Sequence, residues 1–312
     1  MPWSTRDIPS QEGRTAVVTG ANGGLGLETA RALAGKGAHV VMAARDQSKA
    51  AAARAEILRS HPGASLEVVP LDLASLASVA TAAQSILTAH PQVDILVLNA
   101  GVMATPEGAT EDGFETQLGT NVLGHWALLS HLLPRVVRTP DVRVVALSSL
   151  AQHQGKPIDP SNPHLHGSYG AWAAYGQSKL AMRHLAQGLQ RQFIAANLRA
   201  RAVVAHPGFT NSDLQATTAR SGGGGFIGHA SHVVTPYLGM SAAYGALSQL
   251  RAATDPKAPA GGMVGPLLAV TGPPVRKPLV RGGAGKAIEA LWQVGERETG
   301  LRVDVRSALA AG

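Results

Sequence analysis

Thr15-Ala16-Val17-Val18-Thr19-Gly20-Ala21-Asn22-Gly23-Gly24-Leu25-Gly26 decides the fold of this chain. The first five residues are a short, β-branched run of the kind that suits a buried strand. Glycines follow at once, and the spacing beyond them predicts a helix over residues 27–36. Glycine permits the tight turn between strand and helix. It also lets backbone N–H groups approach a pyrophosphate at the helix N-terminus. Most glycine clusters are merely turns. One placed directly after the first strand and before a helix points instead to a dinucleotide. Gly20, Asn22, Gly24, Leu25 and Gly26 are the candidate contacts.

Outward from this turn the pattern repeats. His39-Val40-Val41-Met42-Ala43, Leu66-Glu67-Val68-Val69-Pro70, Asp94-Ile95-Leu96-Val97-Leu98, Val142-Arg143-Val144-Val145-Ala146-Leu147 and Arg201-Ala202-Val203-Val204-Ala205 read as further strands. Alanine-rich helical stretches at residues 47–59 and 75–89 separate the early ones. Continuous apolar strands alternating with helices predict an α/β fold, a doubly wound parallel sheet of Rossmann type with helices on both faces. The expectation is a single domain over residues 1–312. It carries a substrate-loop region at about 213–240 and a C-terminal extension at about 270–312.

Composition narrows the function. The chain has 312 residues, 45% of them hydrophobic, and no cysteine. That excludes disulfides, thiolate zinc sites and a cysteine nucleophile. No apolar run approaches the ~18 residues that span a bilayer. Met1-Pro2-Trp3-Ser4-Thr5-Arg6-Asp7 lacks the apolar stretch of a secretory signal. A cytoplasmic protein is expected. The net charge is +7, but the basic residues are scattered and aromatics make up only 4%. That speaks against nucleic acid and for a surface that attracts a phosphate-bearing small molecule.

Tyr175-Gly176-Gln177-Ser178-Lys179 carries the chemistry. Met182, Leu185, Leu189 and Phe193 continue it at helical spacing. On a helix, Tyr175 and Lys179 share a face. An ammonium nearby favours the phenolate, so the expectation is a phenol tuned below its ordinary value of about 10 and able to exchange a proton. The bland alternative is a half-buried aromatic beside a solvated charge. At the end of the second strand, Arg45 suits the 2′-phosphate of NADP, while the adjacent Asp46 leaves NAD open or is a helix N-cap. NADP(H) is favoured over NAD(H).

Together these residues resemble the short-chain dehydrogenase/reductase family, over residues 14–212. Thr19-Gly20 with Gly24 and Gly26 is similar to its cofactor turn, and Asp72-Leu73 to its adenine contact. Asn99-Ala100-Gly101 resembles its Asn-Ala-Gly motif. Asn121, Ser149, Tyr175 and Lys179 match its catalytic set. Thr110-Glu111-Asp112-Gly113-Phe114-Glu115, Gln177 to Ala181 and His206-Pro207-Gly208 resemble the retinol-dehydrogenase-like branch. The resemblance implies cofactor contacts from Pro207, Gly208 and Thr210, and from Ser212 where the family has threonine.

It also implies hydride transfer between NADP(H) and a hydrophobic alcohol, ketone or aldehyde, as in a carbonyl reductase. Tyr175 would be the general acid/base, Ser149 a hydrogen-bonding partner of the substrate oxygen, and Lys179 a ribose contact. Asn121 would hold a water. A homodimer or homotetramer is the family's usual assembly, which this branch does not require. Two alternatives stand beside this reading: a non-catalytic dinucleotide-sensing regulatory protein, and a sugar-nucleotide epimerase or dehydratase.

Two stretches read as irregular, and a third as a connector. Residues 151–169 contain His153, His164 and His166, which are expected to line a loop rather than hold a metal. Residues 217–236, with four consecutive glycines from Gly222, are expected to form a mobile flap over the substrate. Residues 271–285 read as a solvated connector to a last helix over 286–295.

Overall fold

A computed structural model describes residues 2–210, 239–279 and 284–311. Strands β1 (Thr15–Thr19), β2 (His39–Ala44), β3 (Ser65–Pro70), β4 (Ile95–Leu98), β5 (Arg143–Leu147) and β6 (Arg201–Ala205) alternate with helices. These are α1 (Gly24–Ala34), α2 (Gln47–Ser60), α3 (Leu76–Ala89), α4 (Gly124–Val136) and α5 (Ala171–Ala195). Then come α6 (Ala242–Thr254), β7 (Met263–Pro266), β8 (Pro274–Lys277), α7 (Ala284–Thr299) and α8 (Val305–Ala310). Among the described residues the strands form one sheet in the order β3-β2-β1-β4-β5-β6-β7-β8. All neighbours run parallel except β7 and β8.

The side-chain period of two sorts each strand between two cores. Val17, Val41, Leu96, Val144 and Val204 pack with residues of α3, α4 and α5. Val18, Val40, Val97, Val145 and Val203 pack with α1, α2 and α6. Each such side chain contributes roughly 1.5–3 kcal/mol when fully buried. A one-residue slip in any strand would exchange the two sets between the faces, and each must still meet a helix. Register is therefore set by burial rather than by turn chemistry. The doubly wound fold expected from the sequence is the one found.

One reading is corrected. Residues 271–285 are not simply a connector, because Pro274–Lys277 is the edge strand β8. Its proline opens the strand, where a missing N–H is tolerated. Strand β7 and helix α8 are elements to which the sequence reading assigned nothing. The C-terminal segment is also part of the packing. Gly188 on α5 lies so close to Trp292 on α7 that an added Cβ would sit 2.2 Å from the indole. Trp126 and Trp292 meet edge to face at 5.1 Å, and their ring N–H groups donate to Leu301 O and Val303 O.

No helix among the described residues is long and apolar enough to cross a membrane. Ser212 and the flap expected over 217–236 lie outside the described residues.

The chain builds outward from β1 to β3, then returns to place β4 on the other side of β1. A crevice opens at such a reversal, beyond the carboxyl ends of the strands. Thr19 ends β1 and Asn99 follows β4, so both sit at its mouth.

Candidate active site

The glycine turn is tighter than the sequence pattern requires of it. Gly20 has φ +67°, a left-handed conformation that favours glycine. Gly26 lies in the first turn of α1, where an added Cβ would stand 2.1 Å from Gly20 O and 2.7 Å from Asn99 Nδ2. Helix and strand can approach this closely only at glycine. The cap of α1 is Gly23, with no side-chain hydrogen bond. By contrast, α2 and α3 are capped by the side chains of Asp46 and Ser75. The first N–H groups of α1 thus face the crevice without a side-chain acceptor, which is what an incoming phosphate needs.

Asn99-Ala100-Gly101 is fastened to this turn. The Asn99 side chain donates to Thr19 O at 2.7 Å. The backbone N–H groups of Asn99 and Ala100 both donate to Thr19 Oγ1, at 2.9 and 3.0 Å. Gln249 on α6 donates to Asn99 Oδ1 at 3.2 Å and to Leu25 O at 3.2 Å, and also bonds Thr29.

At the β2 end, Arg45 is 73% exposed and only loosely paired with Asp72, at 3.8 Å. Asp46 is committed as the N-cap, accepting from Lys49 N at 3.0 Å. Asp72 also holds its own turn, accepting from Ala74 N at 3.0 Å. Leu73 is buried, and its carbonyl lies against Gly124.

Ser149 follows β5 and caps a short helical turn, accepting from Ala151 N. Its side chain also hydrogen-bonds Tyr175. Tyr175 and Lys179 lie on α5, at 5% and 4% exposure. The Lys179 Nζ stands 5.8 Å from the centre of the Tyr175 ring and donates to Leu147 O at 3.3 Å. An added Cβ at Gly101 would lie 2.8 Å from Asn121 Oδ1 and 3.2 Å from Lys179 Nζ, so these two groups flank the Asn-Ala-Gly turn. The four residues matched to the catalytic set are thereby gathered at one place.

Two expectations about their chemistry change. Burial pushes the Tyr175 phenol up to about 12, outweighing the lowering effect of the Ser149 hydrogen bond. Burial also brings the Lys179 ammonium down to about 8. The expected downward tuning by lysine is absent because desolvation of the phenolate dominates. Tyr175 therefore carries its proton at neutral pH. A phenolate-absorbance titration of the cofactor-free protein checks this. Wild type and Tyr175→Phe should give the same phenolate signal up to the ordinary tyrosine value of about 10. The extra ionisation of wild type should appear only above it. Extra wild-type phenolate below that value would contradict the assignment.

The second change concerns Asn121. It sits in the π-helical segment Gly119–Leu123, a distortion frequent at functional sites. Its amide donates to Val102 O and Ser178 Oγ, both at 2.9 Å, and accepts from Val102 N at 2.7 Å. Both amide hydrogens are spent on protein acceptors, so a water held here would meet the Asn121 side chain by donating to Oδ1.

Sequence reasoning missed His125 and the full role of Thr19. The His125 Nδ1 lies 2.9 Å from Asn121 O, and its Nε2 lies 2.9 Å from Thr19 Oγ1. A carbonyl can only accept, so Nδ1 carries the hydrogen and Nε2 accepts from the threonine. Complete burial pulls the imidazole down to about 4 and keeps it neutral. His125 thus ties the Asn121 segment and the start of α4 to Thr19 at the end of β1. Its spacing of four from Asn121 was the available signal.

The remaining motifs are architectural. Glu115 caps the segment entering α4, accepting from Gln117 N and Leu118 N at 2.8 and 2.7 Å. Phe114 stacks on His164. His164 accepts from Glu115 N at 3.2 Å and bonds Glu298 at 3.1 Å, so this histidine pins the 151–169 segment rather than merely lining it. Gly155 presses on α5 at Gly176, where an added Cβ would meet Gly176 O at 2.1 Å. His206 is buried, and its Nδ1 accepts from Gly208 N at 3.3 Å. Gly208 has φ +77°. Pro207 is half-buried beside it, and Thr210 is buried against Gly245 of α6.

Known proteins resemble this chain. The profile of the family described as "short chain dehydrogenase" matches residues 14–221. Human retinol dehydrogenase 13 is 41% identical over 207 residues, 65% of this chain and 60% of that protein. The match thus spans about six tenths of the length of such curated relatives. Among solved structures, an uncharacterized protein from Mycobacterium paratuberculosis aligns with TM-score 0.78 and 37% identity, over 97% of this chain and 99% of its own. The Pseudomonas aeruginosa RhlG/NADP active-site complex aligns with TM-score 0.62 and 27% identity, over 82% of this chain and 95% of its own.

Proposed function

The chain belongs to the short-chain dehydrogenase family, and from that premise we propose that it is an NADP(H)-dependent oxidoreductase acting on an alcohol or carbonyl compound with an apolar body. The observation that carries this reading is the buried Tyr175 of α5 with the Lys179 ammonium 5.8 Å from its ring centre, and with Ser149, just past β5, acting on its phenol. Two hydroxyl groups from different elements are thereby brought together, and a substrate oxygen placed between them could accept from both.

A bound nicotinamide dinucleotide supplies or accepts the hydride. The residues that would hold it are Gly20, Asn22, Gly24, Leu25 and Gly26 at the phosphates, Asp72 and Leu73 at the adenine, Arg45 at the ribose, and Asn99, Ala100 and Gly101 along the crevice. Pro207, Gly208, Thr210 and Ser212 are assigned to its nicotinamide end by family resemblance.

The rest of the chemistry belongs to the chain. In reduction Tyr175 gives its proton to the substrate oxygen, and Ser149 stabilises the charge that develops there. The raised phenol suits this direction, because the acid is fully loaded at neutral pH. Lys179 keeps a positive charge within reach of the phenol after its proton has left. Asn121 and His125 position α5 and the glycine turn relative to one another. An apolar substrate is supported by the retinol named in the human relative.

NADP preference is supported by Arg45, which is exposed, while its acidic neighbour is committed to a helix cap. The NADP-bound structural relative points the same way. Charge-assisted pairs contribute roughly 1.5–3 kcal/mol, about one to two decades in affinity. Wild type is expected to bind NADPH that much more tightly than NADH. Arg45→Ala should erase the difference without weakening NADH binding. Equal affinities in wild type would remove the preference from this account.

A further inference from the structure

We infer that His39, Glu67 and His90 form a binding site for a divalent transition-metal ion, Zn2+ foremost, at the end of the sheet opposite the crevice. The three residues come from separate elements. His39 opens β2, Glu67 lies within β3, and His90 caps the C-terminus of α3. The register sets His39 opposite Ser65 and Val41 opposite Glu67. With a period of two, His39, Ser65 and Glu67 share one face of the sheet. It is the face that carries Val41, which packs in the same core as Val79 and Ile86 of α3. The last turn of α3 therefore delivers His90 to the same spot, held by His90 N donating to Ile86 O at 2.9 Å.

The candidate ligand atoms converge. His90 Nε2 is 2.7 Å and His39 Nε2 is 3.6 Å from the same oxygen, Glu67 Oε2. All three ligand atoms lie within 4.8 Å of one another. Atoms bound at about 2.0–2.2 Å to one tetrahedral zinc lie roughly 3.3 Å apart, so the observed separations bracket what an ion needs.

The chemistry of the donors fits as well. Two imidazoles and a carboxylate are a set that zinc accepts, with a water in the fourth position. Glu67 is 37% exposed, which leaves a side open for that water and for entry of the ion.

A second observation points to a ligand. His39 Nε2 is shut off from solvent and has no hydrogen-bond partner. A buried polar nitrogen left unpaired is costly and uncommon. The other nitrogen of that ring is 2.7 Å from Ser65 Oγ. With the hydrogen of Nδ1 given to that oxygen, Nε2 keeps a free lone pair, 3.6 Å from Glu67 Oε2. Metal-binding histidines are usually oriented in this way, by a partner on the far nitrogen. Between His90 and Glu67 a hydrogen now occupies the line that the ion would take. The imidazole centres are 4.9 Å apart, so a small rotation of either ring completes the site. The bound ion would staple the end of α3 to the edge pair β2–β3.

The test is a calorimetric titration of the full chain, stripped by chelator, with Zn2+, and with Mg2+ as the hard-cation control. One Zn2+ per chain and no Mg2+ uptake are expected. His90→Ala and Glu67→Gln should each weaken Zn2+ binding by more than about tenfold. Ser65→Ala, which touches no ion, should weaken it by about tenfold or more through the freed His39 ring. Circular dichroism checks that each variant is folded. Co2+ added to wild type gives a reading that needs no variant, since a four-coordinate nitrogen–oxygen site absorbs far more strongly than hydrated Co2+. Absence of Zn2+ binding, Zn2+ binding unchanged in the His39→Ala/His90→Ala double variant, or a Co2+ spectrum like that of the hydrated ion would each overturn the assignment.

Discussion

Tyr175→Phe is expected to lower turnover by about 10²–10⁴-fold, the usual contribution of a positioned acid–base group, while dinucleotide affinity stays almost unchanged. The ring is 5% exposed and packs edge to face with Trp172 at 6.0 Å. Phenylalanine keeps that packing and removes only the transferable proton and the Ser149 hydrogen bond. The loss should therefore appear in kcat and kcat/KM together, as for an interaction made in the transition state. Steady-state rates with one confirmed substrate, alongside direct NADPH titration, measure it. Near-wild-type turnover would show that a group other than Tyr175 supplies the proton.

Lys179→Met should separate activity from stability in the opposite sense to a core mutation. The methionine fills much of the space of the lysine stem, so the packing cavity is small. Burial already disfavours the ammonium, bringing Lys179 down to about 8. Removing that charge relieves a desolvation cost, and the melting temperature should hold or rise. Function should fall on two counts. Turnover loses the charge beside the Tyr175 ring, and dinucleotide affinity loses a charged donor worth roughly 1.5–3 kcal/mol, about one to two decades. Thermal unfolding and NADPH titration of the same samples check both halves. A destabilised variant with intact affinity would show that Lys179 is a structural residue.

These effects depend on features that the sequence displays unevenly. The apolar runs at β1 and β6 were readable to the residue, Thr15–Thr19 and Arg201–Ala205, because strands buried on both faces carry no polar interruption. Strands β7 and β8 were not. Met263-Val264-Gly265-Pro266 and Pro274-Val275-Arg276-Lys277 contain proline, glycine or charge, and only pairing with β6 and with each other makes them strands. The candidate site was legible because Tyr175 and Lys179 stand on one helix face, and because Asn121 and Ser149 match positions of the family's pattern. The sign of the phenol shift was not legible. Burial is a tertiary quantity, and the ammonium expected to lower the Tyr175 phenol is buried with it. Cross-chain links escaped for the same reason. Gln249 reaches Asn99 only because α6 docks on α1, and His39, Glu67 and His90 meet only through register. His164 showed itself as a loop histidine, but its stacking on Phe114 and bond to Glu298 could not be foreseen.

The central claim is that this chain moves a hydride to a carbonyl while Tyr175 supplies the proton. The most direct measurement is the stoichiometry of NADPH consumed to carbonyl reduced, for wild type over a panel of apolar aldehydes and ketones, with the product isolated. The account predicts one alcohol formed for each NADPH oxidised with at least one member of the panel, and the reaction all but lost in Tyr175→Phe. NADPH bound tightly but never oxidised by any member, or oxidised equally well by Tyr175→Phe, would contradict it.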